Sequence, residues 1–229
     1  MGTRVRQHAW GGGLRGFSLP RWVAFVVAGE GAGFLLPAAG FAVSAGAGLA
    51  PWPAYVLLVV AGAGEGALLG LGQSTAVRGT AAQVPRGRWV LVTALAASAA
   101  WALGMLPSTL TALGAAPDLS APGTWLLLGV GGALLLVSIP LAQWPVLRGV
   151  LPGAWRWVPW NVLAWLLGLP LTLVASPFVD EDSPAWLVGV LFVAGGLAMA
   201  VVVALVTGAG VRHLLARSGD GQRLRRGHL

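Results

Sequence analysis

Residues 119–147 read LSAPGTWLLLGVGGALLLVSIPLAQWPVL, without one acidic or basic residue between Asp118 and Arg148. About 20 helical residues cross the roughly 30 Å hydrocarbon core of a bilayer, so this run is long enough to span it. Four more stretches carry no Asp, Glu, Lys or Arg: 31–64, 89–117, 157–179 and 183–211. The first is divided by Pro51-Trp52-Pro53 and so holds parts of two helices. None alternates apolar and polar residues as the strands of a membrane barrel do. The whole chain agrees: 57% of its 229 residues are hydrophobic and 9% charged, with mean hydropathy +0.80. A water-soluble domain of this size has no interior large enough to hide that much apolar surface.

The expected fold is an all-α integral membrane protein of six transmembrane helices, over 20–45, 52–77, 88–113, 123–147, 157–178 and 184–210. The connections hold helix breakers: Gly46 to Pro53, Pro85-Arg86-Gly87, Ala115 to Gly123, Gly149 to Gly153 and Ser176 to Pro184. A cleaved signal peptide is not expected, because the basic N-terminus leads into a full-length span. The chain divides into a cytoplasmic segment 1–19, a transmembrane domain 20–210 and a basic cytoplasmic tail 211–229.

All 14 basic residues are Arg, and all precede the first helix, follow the sixth, or lie in the 2–3 and 4–5 connections. The other three connections carry only Asp118 and the Asp180-Glu181-Asp182 cluster. The positive-inside rule then puts both termini in the cytoplasm. Arg-only, Ala/Gly/Val-rich usage suits a GC-rich bacterial genome, and hence a multi-pass protein of a bacterial plasma membrane. The net charge of +7 belongs to these ends. The tail from Arg217 to Arg226 suits anionic lipid headgroups better than nucleic acid. Beyond lipid, the protein partners open to such a chain are further copies of itself or a larger membrane complex.

A repeat is legible. Arg21-Trp22-Val23, Arg88-Trp89-Val90 and Arg156-Trp157-Val158 open the first, third and fifth helices at spacings of 67 and 68 residues. Each of these helices has a proline in its outer half: Pro37, Pro107 and Pro170. The even helices begin near Trp52, Trp125 and Trp186 and end on Val77-Arg78, Leu147-Arg148 and Val211-Arg212. The pattern predicts three tandem hairpins, 20–77, 88–147 and 157–210, in pseudo-threefold arrangement about the membrane normal.

Glu30 and Glu65 are the ionisable residues inside the expected spans. Glu30 lies about 13 Å along its helix from Arg21, and Glu65 midway between Trp52 and Arg78. The two share one depth on the two arms of one hairpin. A charge there costs a few kcal/mol, so each acid is expected to face protein or water. Such a pair can form an ion or proton site; the structural alternative is a carboxyl that ties helices together. The matching positions in the other hairpins hold Ala97, Trp165, Leu135 and Met199. Glycines at four-residue spacing, Gly29/Gly33 and Gly62/Gly66/Gly70, favour close helix packing. Pro37 cannot donate to the Gly33 carbonyl.

Five residues in from the arginines, about 7 Å, stand Gln73, Thr93, Gln143, Asn161 and Thr207, with Val26 in the first helix. They are expected either to line a polar vestibule or to reach the headgroups. Arg21, Arg78, Arg88, Arg148, Arg156 and Arg212 are expected as cytoplasmic anchors that snorkel to the interface.

Without cysteine or lysine, thiol chemistry, thiolate metal sites and lysine nucleophiles are excluded. No metal-helix, phosphate-loop or catalytic-triad motif is present, so no cofactor, metal or catalytic set is expected. The reading that follows is a small transporter or channel for an ion or small solute, proton-coupled through the carboxylates. The alternative is a non-catalytic membrane subunit that docks on a larger transport or signalling complex.

Overall fold

The computed structural model describes residues 16–174 and 183–226. Arg4, Arg6, Arg15, the Asp180-Glu181-Asp182 cluster and positions 175–178 of the fifth expected helix lie outside them. The described residues form α1 (Leu19–Gly46), α2 (Pro51–Ala76), α3 (Arg86–Ala112), α4 (Pro122–Leu147), α5 (Trp157–Leu173) and α6 (Ala185–Arg226). A 3₁₀ turn, Ala154–Arg156, leads into α5, and there is no strand among the described residues. All but α5 are long and apolar enough to cross a membrane, the make-up of an α-helical membrane protein. The described part of α5 has 17 residues.

Local chemistry sets the helix starts. α1, α2 and α4 carry proline in the first turn, where its missing N–H would have had no intrahelical partner anyway. The Ser18 hydroxyl accepts from the Arg21 backbone N–H at 3.4 Å and caps α1. α1 continues through Pro37 without interruption. Gly153, at φ +69°, turns the chain before the 3₁₀ segment in a left-handed conformation that costs glycine little.

Each helix packs on its neighbours in chain order, and α6 packs back on α1, closing a ring. The α1–α2 seam depends on glycine: a Cβ on Gly29 would sit 2.5 Å from the Leu68 carbonyl oxygen. At the α2–α3 seam, a Cβ on Gly66 would sit 2.7 Å from the Thr93 carbonyl oxygen. Outward, α4 exposes Leu126, Leu127, Val130 and Leu134, side chains suited to lipid.

One feature differs from the sequence expectation. α6 continues to Arg226, well past the end expected at 210 and into the stretch read as a tail. Arg212 looked like a terminus, but Val211, Leu214 and Leu215 recur at helical spacing and are buried in the main core cluster. The exposed charge and the buried stripe occupy different faces of one helix. The tryptophans also divide. Trp52, Trp125 and Trp186 are exposed, as interfacial tryptophans are, whereas Trp22, Trp89 and Trp157 are buried. Trp157 meets Trp22 edge-on at a centroid distance of 6.3 Å and Trp89 at 6.2 Å.

Candidate functional site

The ring has two interior layers. Nearest the arginine-bearing helix ends is a polar belt. Trp22 Nε1 donates to Thr207 Oγ1 (3.2 Å), Trp89 Nε1 to Gln73 Oε1 (3.0 Å) and Trp157 Nε1 to Gln143 Oε1 (2.8 Å). Gln143 Nε2 donates to both Gln73 Oε1 and Thr93 Oγ1 at 2.9 Å. Each tryptophan that opens an odd-numbered helix is thus held by the even-numbered helix before it, with α6 serving α1. Gln73, Thr93, Gln143, Asn161 and Thr207 are all at most 1% exposed, and none lines the large cavity described below. The three tryptophans and Gln73 enclose a space of about 20 Å³, room for about one water. Gln73 Nε2 and Asn161 Oδ1 have no hydrogen-bond partner among the described residues.

Farther from the arginines the ring surrounds a half-open cavity of about 460 Å³, to which all the helices contribute. Glu30 from α1 and Glu65 from α2 line it together. The matching positions in the other helices, Ala97, Leu135, Trp165 and Met199, line it as well. The remaining wall is apolar and aromatic, with Phe34, Phe41, Trp101 and Phe192, and Thr172 as the one hydroxyl.

The two acids are differently held. Trp101 Nε1 donates to Glu65 Oε2 at 2.6 Å. Gly62 leaves room for that indole, which lies directly over it. Glu30 is completely buried, and neither of its carboxyl oxygens has a hydrogen-bond partner among the described residues. The acids lie on abutting turns, since a Cβ on Gly33 would sit 3.0 Å from Glu65 Cα. Among the described residues no Arg or His lines the cavity. An ionised carboxylate buried without a partner costs several kcal/mol, so this arrangement calls for a proton or an external cation as its counter-charge.

The six arginines expected as anchors face outward or lie at helix ends. Arg78, Arg88, Arg148 and Arg212 are exposed. Arg21 Nη2 donates to the Thr75 carbonyl in the last turn of α2 at 3.0 Å, beside the Arg78 backbone N–H that also bonds there. The Arg148 and Arg156 guanidiniums lie 5.7 Å and 4.9 Å from the Trp144 and Trp155 rings. No group of three or more metal-ligating side chains occurs among the described residues.

Sequence reasoning missed the role of Trp101. Its one signal was position: it lies four residues beyond Ala97, so it shares a helix face with the counterpart of Glu30. It also treated the three repeat tryptophans and the five polar residues as separate features. No family model, curated protein or solved structure matched this chain.

Proposed function

We propose that the chain is a small membrane transporter that moves an ion or small solute through its central cavity, exchanging it for protons on Glu30 and Glu65. The observation that carries this reading is Glu30, a completely buried carboxyl on the cavity wall whose oxygens have no hydrogen-bond partner among the described residues. A carboxyl serving only to tie helices together would be bonded to a neighbour; an exchange site needs its oxygens free for the incoming ligand. The polar belt supports the same reading, because it closes the ring on the arginine side and leaves the cavity on the other. In the transport cycle that belt is the barrier that must open.

In this proposal α5 completes a set of six spans, and the chain is three tandem hairpins around an axis along the membrane normal. Two facts support the repeat: the recurring Trp-to-polar hydrogen bond, and the lining of the cavity by the matched residue of every helix. The arginine ends face the cytoplasm of a bacterial plasma membrane, where they contact anionic headgroups.

Reconstitution of the purified protein tests the function. Vesicles holding a pH-sensitive dye are given an imposed proton gradient and then a panel of inorganic and organic cations. Wild type is expected to show cation-dependent proton movement, and the Glu30→Gln/Glu65→Gln double variant none. Proton movement that no cation alters, or that the double variant keeps, would overturn the proposal and bring the docking-subunit reading forward.

A further inference from the structure

The wall of the cavity also narrows what it can hold, and we infer that its ligand is a lipophilic organic cation with one positive charge on an apolar, aromatic-sized body. The inference rests on the transport reading above and goes beyond it to the class of substrate. Charge comes first. Among the described residues the cavity carries two carboxyl groups and no basic side chain, so an anion would meet two like charges and no partner. Desolvation comes second. A bare inorganic cation needs several oxygen ligands to replace its water. Among its described side chains this wall offers, besides the carboxyls, only the Thr172 hydroxyl as an oxygen ligand. A sugar or other polyol fails for the same reason, since its hydroxyls would be buried unpaired.

What the wall does offer is apolar surface and rings. Phe34 and Phe192 stack at 4.8 Å, and Trp101 and Trp165 stand on other helices of the ring. Aromatic faces attract a cation whose charge is spread over a large, weakly hydrated body, most strongly where water is excluded. A volume of about 460 Å³ lies within the range of pockets that enclose drug-sized molecules. Trp101 already occupies one oxygen of Glu65. The oxygens of Glu30, unbonded but covered within the wall, are therefore the primary counter-charge once the side chain turns to the ligand, with Glu65 the second.

Tetraphenylphosphonium and tetraphenylborate, near-identical in shape and opposite in charge, test this on the full-length protein in detergent. Equilibrium binding of each labelled ion is measured for wild type, Glu30→Gln, Glu65→Gln and Trp165→Leu, each first shown monodisperse by gel filtration. The expected result is saturable phosphonium binding with proton release and at least tenfold weaker borate binding. Glu30→Gln should weaken the phosphonium at least tenfold, Glu65→Gln less, and Trp165→Leu severalfold with proton release retained. Equal binding of the two ions, or phosphonium binding that Glu30→Gln leaves unchanged, would overturn the inference. If the phosphonium does not bind but sodium or potassium releases protons from wild type and not from the glutamine variants, the substrate class is wrong and the transport reading stands. If no cation releases protons, both fail.

Discussion

Gln143→Leu removes the most connected side chain of the polar belt while roughly keeping its volume. Three hydrogen bonds disappear, those with Gln73, Thr93 and Trp157, at 2.8–2.9 Å. Polar contacts between membrane helices average about 0.6 kcal/mol and reach about 1.7 kcal/mol. Three average bonds give about 2 kcal/mol, roughly a 30-fold change in the folding equilibrium. The Trp157 N–H would also be left unpaired at a position only 1% exposed, which places the expected loss above that figure, at about 2–4 kcal/mol. Reversible unfolding in mixed micelles with increasing dodecyl sulfate, followed by tryptophan fluorescence, measures it. Ser138→Ala is the control, because that hydroxyl bonds only to Leu135 in its own helix. A Gln143→Leu protein within about 0.5 kcal/mol of wild type, the range of an ordinary surface substitution, would refute the claim that the belt holds the ring together.

Other outcomes follow from the same geometry. Gly29→Leu should prevent a monodisperse gel-filtration peak, since its Cβ would meet the Leu68 carbonyl at 2.5 Å; Gly46→Leu should be neutral, with nothing within 4 Å of its Cβ. Glu30→Gln should unfold within about 1 kcal/mol of wild type or later, because the acid has no hydrogen-bond partner among the described residues; a larger loss would make Glu30 a packing element. A cysteine at Ser120, on a chain with none of its own, should react with an impermeant maleimide from outside intact cells, and one at Ser218 only after permeabilisation. Asp118 accepts from the Ser120 hydroxyl and backbone N–H, which hold its carboxyl below the usual range. That turn is therefore intact above the usual carboxylate pKa and lost as pH falls through the lowered value; in Ser120→Ala the titration, read by NMR, should move up toward the ordinary value.

Much of the fold was legible because lipid imposes simple rules on sequence. Charge-free runs marked the helices, and most ends fell within two residues of expectation, as 123–147 against Pro122–Leu147 shows. The end of α6 was misread because charge was taken as a stop, whereas Val211, Leu214 and Leu215 continue the buried stripe. Depth counted from the arginines picked out both acids and all five polar side chains, every one of them buried. It found none of their partners, because Trp89–Gln73 and Trp157–Gln143 each join neighbouring helices and Trp22–Thr207 joins the two ends of the chain. Depth is a property of one helix, whereas the direction a side chain faces depends on how the whole ring closes. The aromatic wall escaped notice for the same reason, since Phe34, Trp101 and Phe192 are unremarkable residues in any apolar span.

Infrared difference spectroscopy of the purified protein in lipid discs tests most directly whether Glu30 and Glu65 form a site that exchanges protons with water. Spectra are recorded as the pH is stepped, in light and heavy water, for wild type and each glutamine variant. A carboxyl band is expected for each acid that shifts in heavy water and changes with pH, with Glu30→Gln and Glu65→Gln each removing one. Carboxyl bands that neither exchange nor respond to pH, or that persist in both variants, would contradict it.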